Sequence, residues 1–265
     1  MEQNDTTRTM GHSFGTVADG YDRYRPEPPD AALDWLIPEG ARSVVELGAG
    51  TGALTRRLLA RGLEVRCIEP DERMREVLAA RAPAAEVLEG HAEALPMADG
   101  SADVVIGASM WHWVDETRAI PEVARVLKPG GRFALLWNGT NRRVPWLRSL
   151  WAGGVTLDED QASALDSRRR RRHDVDLHGS AAFSAPEEEL LSYDVPMTRD
   201  ALLGLLGTYS AIITMDPVER ERYLGGAVAF LDREGIGAGG AEVAVPMRCL
   251  CWRAERSPGA AESAA

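Results

Sequence analysis

Apolar and polar positions recur along the chain with two periods, and the switches between them mark the elements. Residues 31–36 (AALDWL) carry a short amphipathic stripe that starts near Asp30, just past a cluster of Pro26, Pro28 and Pro29. A helix can begin at such a cluster but cannot continue through it. After Pro38, short apolar runs alternate with helix-period segments. The runs SVVELG (43–48), EVRCIEP (64–70), AEVLEG (85–90), ADVVIGAS (102–109) and RFALLWN (132–138) predict five strands. Between them, ALTRRLLARG (53–62), ERMREVLAARA (72–82) and residues 119–127 predict helices, the last ended by KPGG at 128–131. The run at 102–109 is continuously apolar, as a strand covered on both faces requires. Strands and helices alternating through short links predict a parallel, doubly wound α/β sheet with right-handed crossovers.

From 139 to 185 the alternation stops. This stretch holds Trp146, Trp151, an acidic segment at 158–160 and an arginine run at 168–172, read as a solvated helix face or loop. Residues 190–197 (LLSYDVPM) are strand-like, and 199–206 and 218–233 look helical. GIGAGGA (235–241) predicts a turn, and EVAVPMRCLCWRA (242–254) a long strand. Pro246 within it suggests a bulge or an edge position. Residues 1–12 and 256–265 are expected to be loose tails, and no internal repeat is found.

Composition narrows the function classes. The 265 residues are 45% hydrophobic, ordinary for a globular chain. Thirty basic against 41 acidic side chains give a net charge of −11, which disfavours nucleic acid and anionic membranes as partners. No run of apolar residues is long enough to cross a bilayer. The polar start MEQNDTTRTMGH has no signal-peptide core, so a cytoplasmic location is the expectation. Cys67, Cys249 and Cys251 form no metal or disulfide pattern and are expected to be buried, reduced thiols. No metal site is read.

The most informative stretch is VVELGAGTG (44–52). Gly48, Gly50 and Gly52 fall just past a predicted strand and just before a predicted helix, where glycines let backbone approach a ligand closely and helix-start amides stand open to it. Glu69 ends the next strand, 21 residues after Gly48, a position suited to gripping a ribose diol. Gly48, Gly50 and Ala53 also satisfy the dinucleotide fingerprint GxGxxG/A. Charge bears on the choice, because Glu46 lies two residues before the turn. At about 6 Å and an effective dielectric near 20, a carboxylate attracts a cation by about 3 kcal/mol and repels a phosphate comparably. A sulfonium nucleoside is favoured over a diphosphate on that reading.

Four stretches in order carry a resemblance: VVELGAGTG, IEPDERM (68–74), GHAEALPMADGSADVV (90–105) and ARVLKPGGRFALLW (124–137). From about residue 14 to 138 the chain resembles the class I S-adenosylmethionine-dependent methyltransferases. It is most similar to the small-molecule group that includes trans-aconitate and ubiquinone/menaquinone-biosynthesis enzymes. The resemblance implies a Rossmann-like, mostly parallel seven-stranded sheet with an antiparallel last strand, plus a small helical lid. It implies one methyltransferase domain over 13–255: an N-terminal cofactor-covering segment (13–38), a cofactor-binding core (43–138) and a lid or substrate region (139–185 and 198–235). The implied cofactor is S-adenosyl-L-methionine, held by Tyr21, Glu46, Gly48, Ala49, Gly50, Thr51, Gly52, Glu69, Met74, His91, Ala92, Glu93 and Ser109. His91 stands where the family commonly has Asp. A neutral imidazole still offers one acceptor nitrogen to adenine.

The motif after the fourth strand, ASMWHWVD (108–115), should face the reaction zone, because ligands of open parallel sheets sit beyond the strands' carboxyl ends. His112 is the candidate general base. Arg25, Trp111, Trp113, Trp137 and Trp146 are candidate substrate contacts, since clustered tryptophans suit a planar or apolar pocket. The implied reaction is direct in-line methyl transfer to O, N or C of a small molecule by a monomer or homodimer. A methyltransferase-fold protein that does not methylate, and a nicotinamide-dependent oxidoreductase, are the alternatives.

Overall fold

The structure is a computed structural model that describes residues 24–157, 161 and 173–258. Tyr21, the expected tail at 1–12, the acidic segment at 158–160, the arginine run at 168–172 and the last seven residues lie outside them. Seven strands form one sheet: β1 (Ser43–Leu47), β2 (Glu64–Ile68), β3 (Glu86–Leu88), β4 (Ala102–Ala108), β5 (Leu127–Thr140), β6 (Glu187–Met197) and β7 (Val243–Glu255). Their order is β3-β2-β1-β4-β5-β7-β6. β1 to β5 pair in parallel, with Leu47 opposite both Ile68 and Gly107. β7 runs antiparallel to β5: Arg256 exchanges backbone hydrogen bonds with Gly130 and Gly131, while Asn141 donates to Pro246. The seven-stranded, mostly parallel arrangement with an antiparallel last strand is as expected.

The chain divides into two compact units. One comprises residues 27–138, 173–191 and 249–265. It holds α1 (Asp30–Leu36), α2 (Ala53–Ala60), α3 (Glu72–Arg81) and α4 (Glu116–Val126). β1 is buried at every position, Glu46 included, as a central strand covered on both faces is. The core on one face of the sheet joins Val45, Leu47, Val105, Trp111, Ile120, Phe133, Leu135 and Trp137 to Phe183 and Trp252. At the opposite, amino-terminal ends of β1 and β4, Asp103 accepts from the amides of Arg42 and Ser43, the Ser43 hydroxyl and Lys128. Burial would raise the Asp103 pKa, but Lys128, Ser43 and Arg42 together hold it well below the usual carboxylate range.

The other unit comprises residues 1–26, 139–172 and 192–248. It holds α5 (Pro145–Trp151), α6 (Arg199–Gly207), α7 (Ser210–Ile213) and α8 (Pro217–Glu234), in the stretches expected to form a lid. Their apolar faces build a separate core of Leu147, Leu150, Leu202, Leu205, Phe230 and Leu231.

Several boundaries differ from the sequence expectation. α4 starts three residues early because the Asp115 side chain caps the amide of Thr117. KPGG does not break β5: the pairing shifts from Ala102↔Leu127 to Val104↔Arg132, and the strand resumes past a bulge. Pro246 is not on an edge strand, since β7 lies between β5 and β6. Its carbonyl faces Asn141 just past the end of β5, where an antiparallel neighbour is running out and a missing N–H costs little. α5 lies in the stretch expected to form a helical lid, but no individual helix was read there. Pro145 at its first position is the signal for it. Arg256 and Ser257, at the start of the expected tail, are hydrogen-bonded to Gly131 and Ala182. All three cysteines are buried and free. Among the described residues, no helix is long and apolar enough to cross a membrane.

Candidate active site

The glycine turn follows β1 as expected. Gly48, Gly50 and Gly52 have φ of 60°, 57° and 86°, conformations that β-carbons disfavour. Gly48 is needed for a second reason: a β-carbon there would lie 3.0 Å from Cβ of Met110. At Gly50 a β-carbon would meet nothing within 4 Å, so this turn presents bare backbone to open space. Gly52 caps α2 without any side-chain hydrogen bond, and the first amides of that helix keep their donor capacity.

Two carboxylates bracket the turn, and they do different things. Glu69 accepts from the amide of Gly50 at 2.8 Å and from that of Asp71 at 2.9 Å. Its oxygens keep further lone pairs for hydroxyl donors. Burial raises its pKa, against the Asp71 and Gly50 amides that lower it. Arg75 props this strand end through the carbonyls of Glu69 and Pro70, at 3.0 and 2.7 Å. Arg75 was missed by sequence reasoning. The available signal was its place one turn into the helix that follows Glu69.

Glu46 corrects the electrostatic expectation. It is 1% exposed, accepts from the Thr55 hydroxyl at 2.6 Å and has the Cys67 thiol 3.8 Å away. Burial pushes its pKa up to about 8, with hydrogen bonds from Thr55 and Cys67 opposing. Burial thus favours its neutral form and the Thr55 bond ties it to α2, which weakens the cation attraction read for it from sequence. Thr55, its partner, was also missed from sequence.

Thr51 and Ala49 are buried in the turn. Met74 is 4% exposed on the inner face of α3, and its amide is capped by Asp71 at 3.0 Å. His91 is exposed and bridges Ala94, Ala92 is buried, and Glu93 accepts from the amide of Asp115 at 2.9 Å. Ser109, just past β4, is left-handed at φ 54°. Such strain in a non-glycine residue is held only where the surroundings dictate it.

Trp111 is part of the core, 2% exposed, edge-on to Phe133 with centroids 4.9 Å apart, and its indole donates to Glu116 at 2.6 Å. His112 and Trp113 pack ring on ring at 4.6 Å. Trp137 ends the continuous buried stretch 133–137 of β5, 6% exposed. The glycine turn, Glu69, Ser109, the 111–113 turn and Trp137 thus all lie at carboxyl ends of parallel strands in one unit. Arg25 and Trp146 belong to the other unit. There the Arg25 guanidinium donates to Thr208 and lies 3.9 Å from the Tyr209 ring centroid, and Trp146 packs on that unit's core.

No group of three His, Cys, Asp or Glu side chains that could hold a metal ion occurs among the described residues. Known proteins agree on the class. Residues 45–135 match the methyltransferase domain family. Over 247 residues the chain is 39% identical to an uncharacterised methyltransferase of Mycobacterium tuberculosis, covering 93% of this chain and 97% of that one. The chain belongs to the methyltransferases. This methyltransferase is also 36% identical over 116 residues to the ubiquinone/menaquinone biosynthesis C-methyltransferase of Dinoroseobacter shibae, 40% of this chain and 46% of that one. Its fold is shared with a phosphoethanolamine N-methyltransferase of Haemonchus contortus, solved with S-adenosylhomocysteine. The TM-score is 0.53 at 17% identity, covering 92% of this chain and 57% of that one.

Proposed function

We propose that this methyltransferase binds S-adenosyl-L-methionine at the Gly48–Gly52 turn and methylates a small organic molecule. The observation that carries this is the pairing of bare backbone at Gly50 with the Glu69 carboxylate, joined by one hydrogen bond. Glu69 would accept from ribose hydroxyls, and the glycine turn would admit the amino-acid end. When bound, the cofactor supplies an electrophilic methyl group on a positively charged sulfur. The chain's own work is then to orient the acceptor, which in well-oriented reactions can supply about 7–11 kcal/mol of the barrier. His112, in the 111–113 turn beyond β4, is the base we assign to an acceptor whose proton must leave, its ring nitrogen taking that proton. A carboxylic acid oxygen, ionised at neutral pH, needs only placement.

The test is transfer of label from methyl-labelled S-adenosylmethionine into an extracted small-molecule fraction. The expected result is chain-dependent label in an organic product. Tight binding of the cofactor with no label leaving it would overturn the transfer and leave a binding protein.

A further inference from the structure

A tryptophan N–H that is buried needs an acceptor, because leaving a donor desolvated and unpaired is unfavourable. Trp111 meets this need with Glu116. Trp137 does not: its Nε1 is buried without a hydrogen-bond partner, although the residue is only 6% exposed. Its ring shares the core face with Phe133 and Leu135 and packs against the His173 ring at 5.1 Å.

The sheet fixes where the backbone of Trp137 stands. Leu47 of β1 pairs with Gly107 of β4, and Ala108 of β4 pairs with Leu136 of β5. Gly48, Ser109 and Trp137 therefore follow one another across three adjacent strand ends. At about 4.8 Å per strand, Trp137 is about 10 Å from the glycine turn. That span is about the length of one small reactant beside a cofactor held on the turn. Between them, the left-handed Ser109 amide is fixed to Leu136 at 2.8 Å, which locks the two strand ends together.

We propose that Trp137 Nε1–H donates a hydrogen bond to a carbonyl or carboxylate oxygen of the methyl-accepting molecule, and so selects acceptors that carry one. An indole N–H is a donor only. A hydroxyl in this apolar setting would accept the bond but keep its own O–H unpaired, which disfavours it. The neighbouring aromatic rings favour a planar molecule. This inference rests on the proposed methyl-transfer reading.

The test follows the Trp137 indole N–H by NMR in the full chain saturated with S-adenosylhomocysteine, using benzoate, benzamide and toluene as probes. The signal is assigned by its absence in Trp137→Phe. Should that variant not fold, its contact with the His173 ring assigns it in the unmodified chain. Benzoate and benzamide are expected to move the signal downfield, and Trp137→Phe to bind both about tenfold more weakly, as loss of about one hydrogen bond implies. Toluene affinity should be indifferent to the substitution. A signal unmoved by benzoate and benzamide, or equal weakening of all three probes, would overturn the proposal. Failure of S-adenosylhomocysteine itself to bind would instead overturn the cofactor reading beneath it.

Discussion

Glu46→Gln isolates the buried carboxyl beneath the glycine turn. Below about pH 4.5 this carboxyl is protonated in both folded and unfolded chains. Between 4.5 and about 8 the unfolded chain has released the proton and the folded one has kept it, so stability falls as pH rises. Above that window both forms are ionised and the loss is complete. The rise from 4.5 to about 8 corresponds to on the order of 5 kcal/mol at full size, against a typical total of about 5–15 kcal/mol. Gln is isosteric and still accepts from Thr55, so its effect at pH 5 should be under about 1 kcal/mol, within the range of one hydrogen bond. At pH 8 the variant should be the more stable by about 2–5 kcal/mol. Urea unfolding followed by circular dichroism at pH 5, 6.5 and 8 checks this. The midpoint of the native chain should drop across the series, and that of Glu46→Gln should drop much less. Parallel midpoints for the two proteins would refute the assignment of a neutral, buried Glu46.

Gly50→Ala should fold with a cost of about 1–2 kcal/mol for the left-handed backbone, since its β-carbon meets nothing within 4 Å, yet lose affinity for S-adenosylhomocysteine by calorimetry. Native affinity there would mean the bare backbone faces no ligand. Glu69→Ala should weaken the same ligand by about 1.5–3 kcal/mol, as loss of hydrogen bonds to a charged group predicts. Because the Glu69 pKa is raised, native affinity should begin to fall on acidification above the ordinary carboxylate range, while the Ala variant shows no such step. Asp103→Asn should cost about 1–2 kcal/mol at pH 7, allowing for the part-exposed Lys128 pair. The Asp103 pKa is lowered, so its contribution is present above 3.8 and fades as pH falls towards its folded value. The thermal-melt difference should therefore narrow in acid, and a constant difference would count against the Asp103 cluster.

The parallel half was legible because its signals are local. β1 and β4 are short, mostly apolar runs, and the glycine turn needs conformations only glycine takes cheaply. What was not legible depends on tertiary neighbours. The sequence shows Glu46 beside the turn but not that it is fully buried between Thr55 and Cys67, and that burial favours its neutral form. Trp111 and Trp137 look alike in sequence, yet Glu116 satisfies one indole and nothing described satisfies the other. Pro246 suggested an edge because the insertion of β7 between β5 and β6 is a long-range choice. The start of α4 was misplaced because the Asp115 side chain that caps it was not read as a helix start.

Equilibrium dialysis of the full chain with methyl-tritiated S-adenosylmethionine, with and without competitors, tests the central claim most directly. The account predicts saturable binding of one molecule per chain, displaced by S-adenosylhomocysteine, indifferent to NAD and abolished by Gly50→Val. Displacement by NAD, or undiminished binding in Gly50→Val, would contradict it.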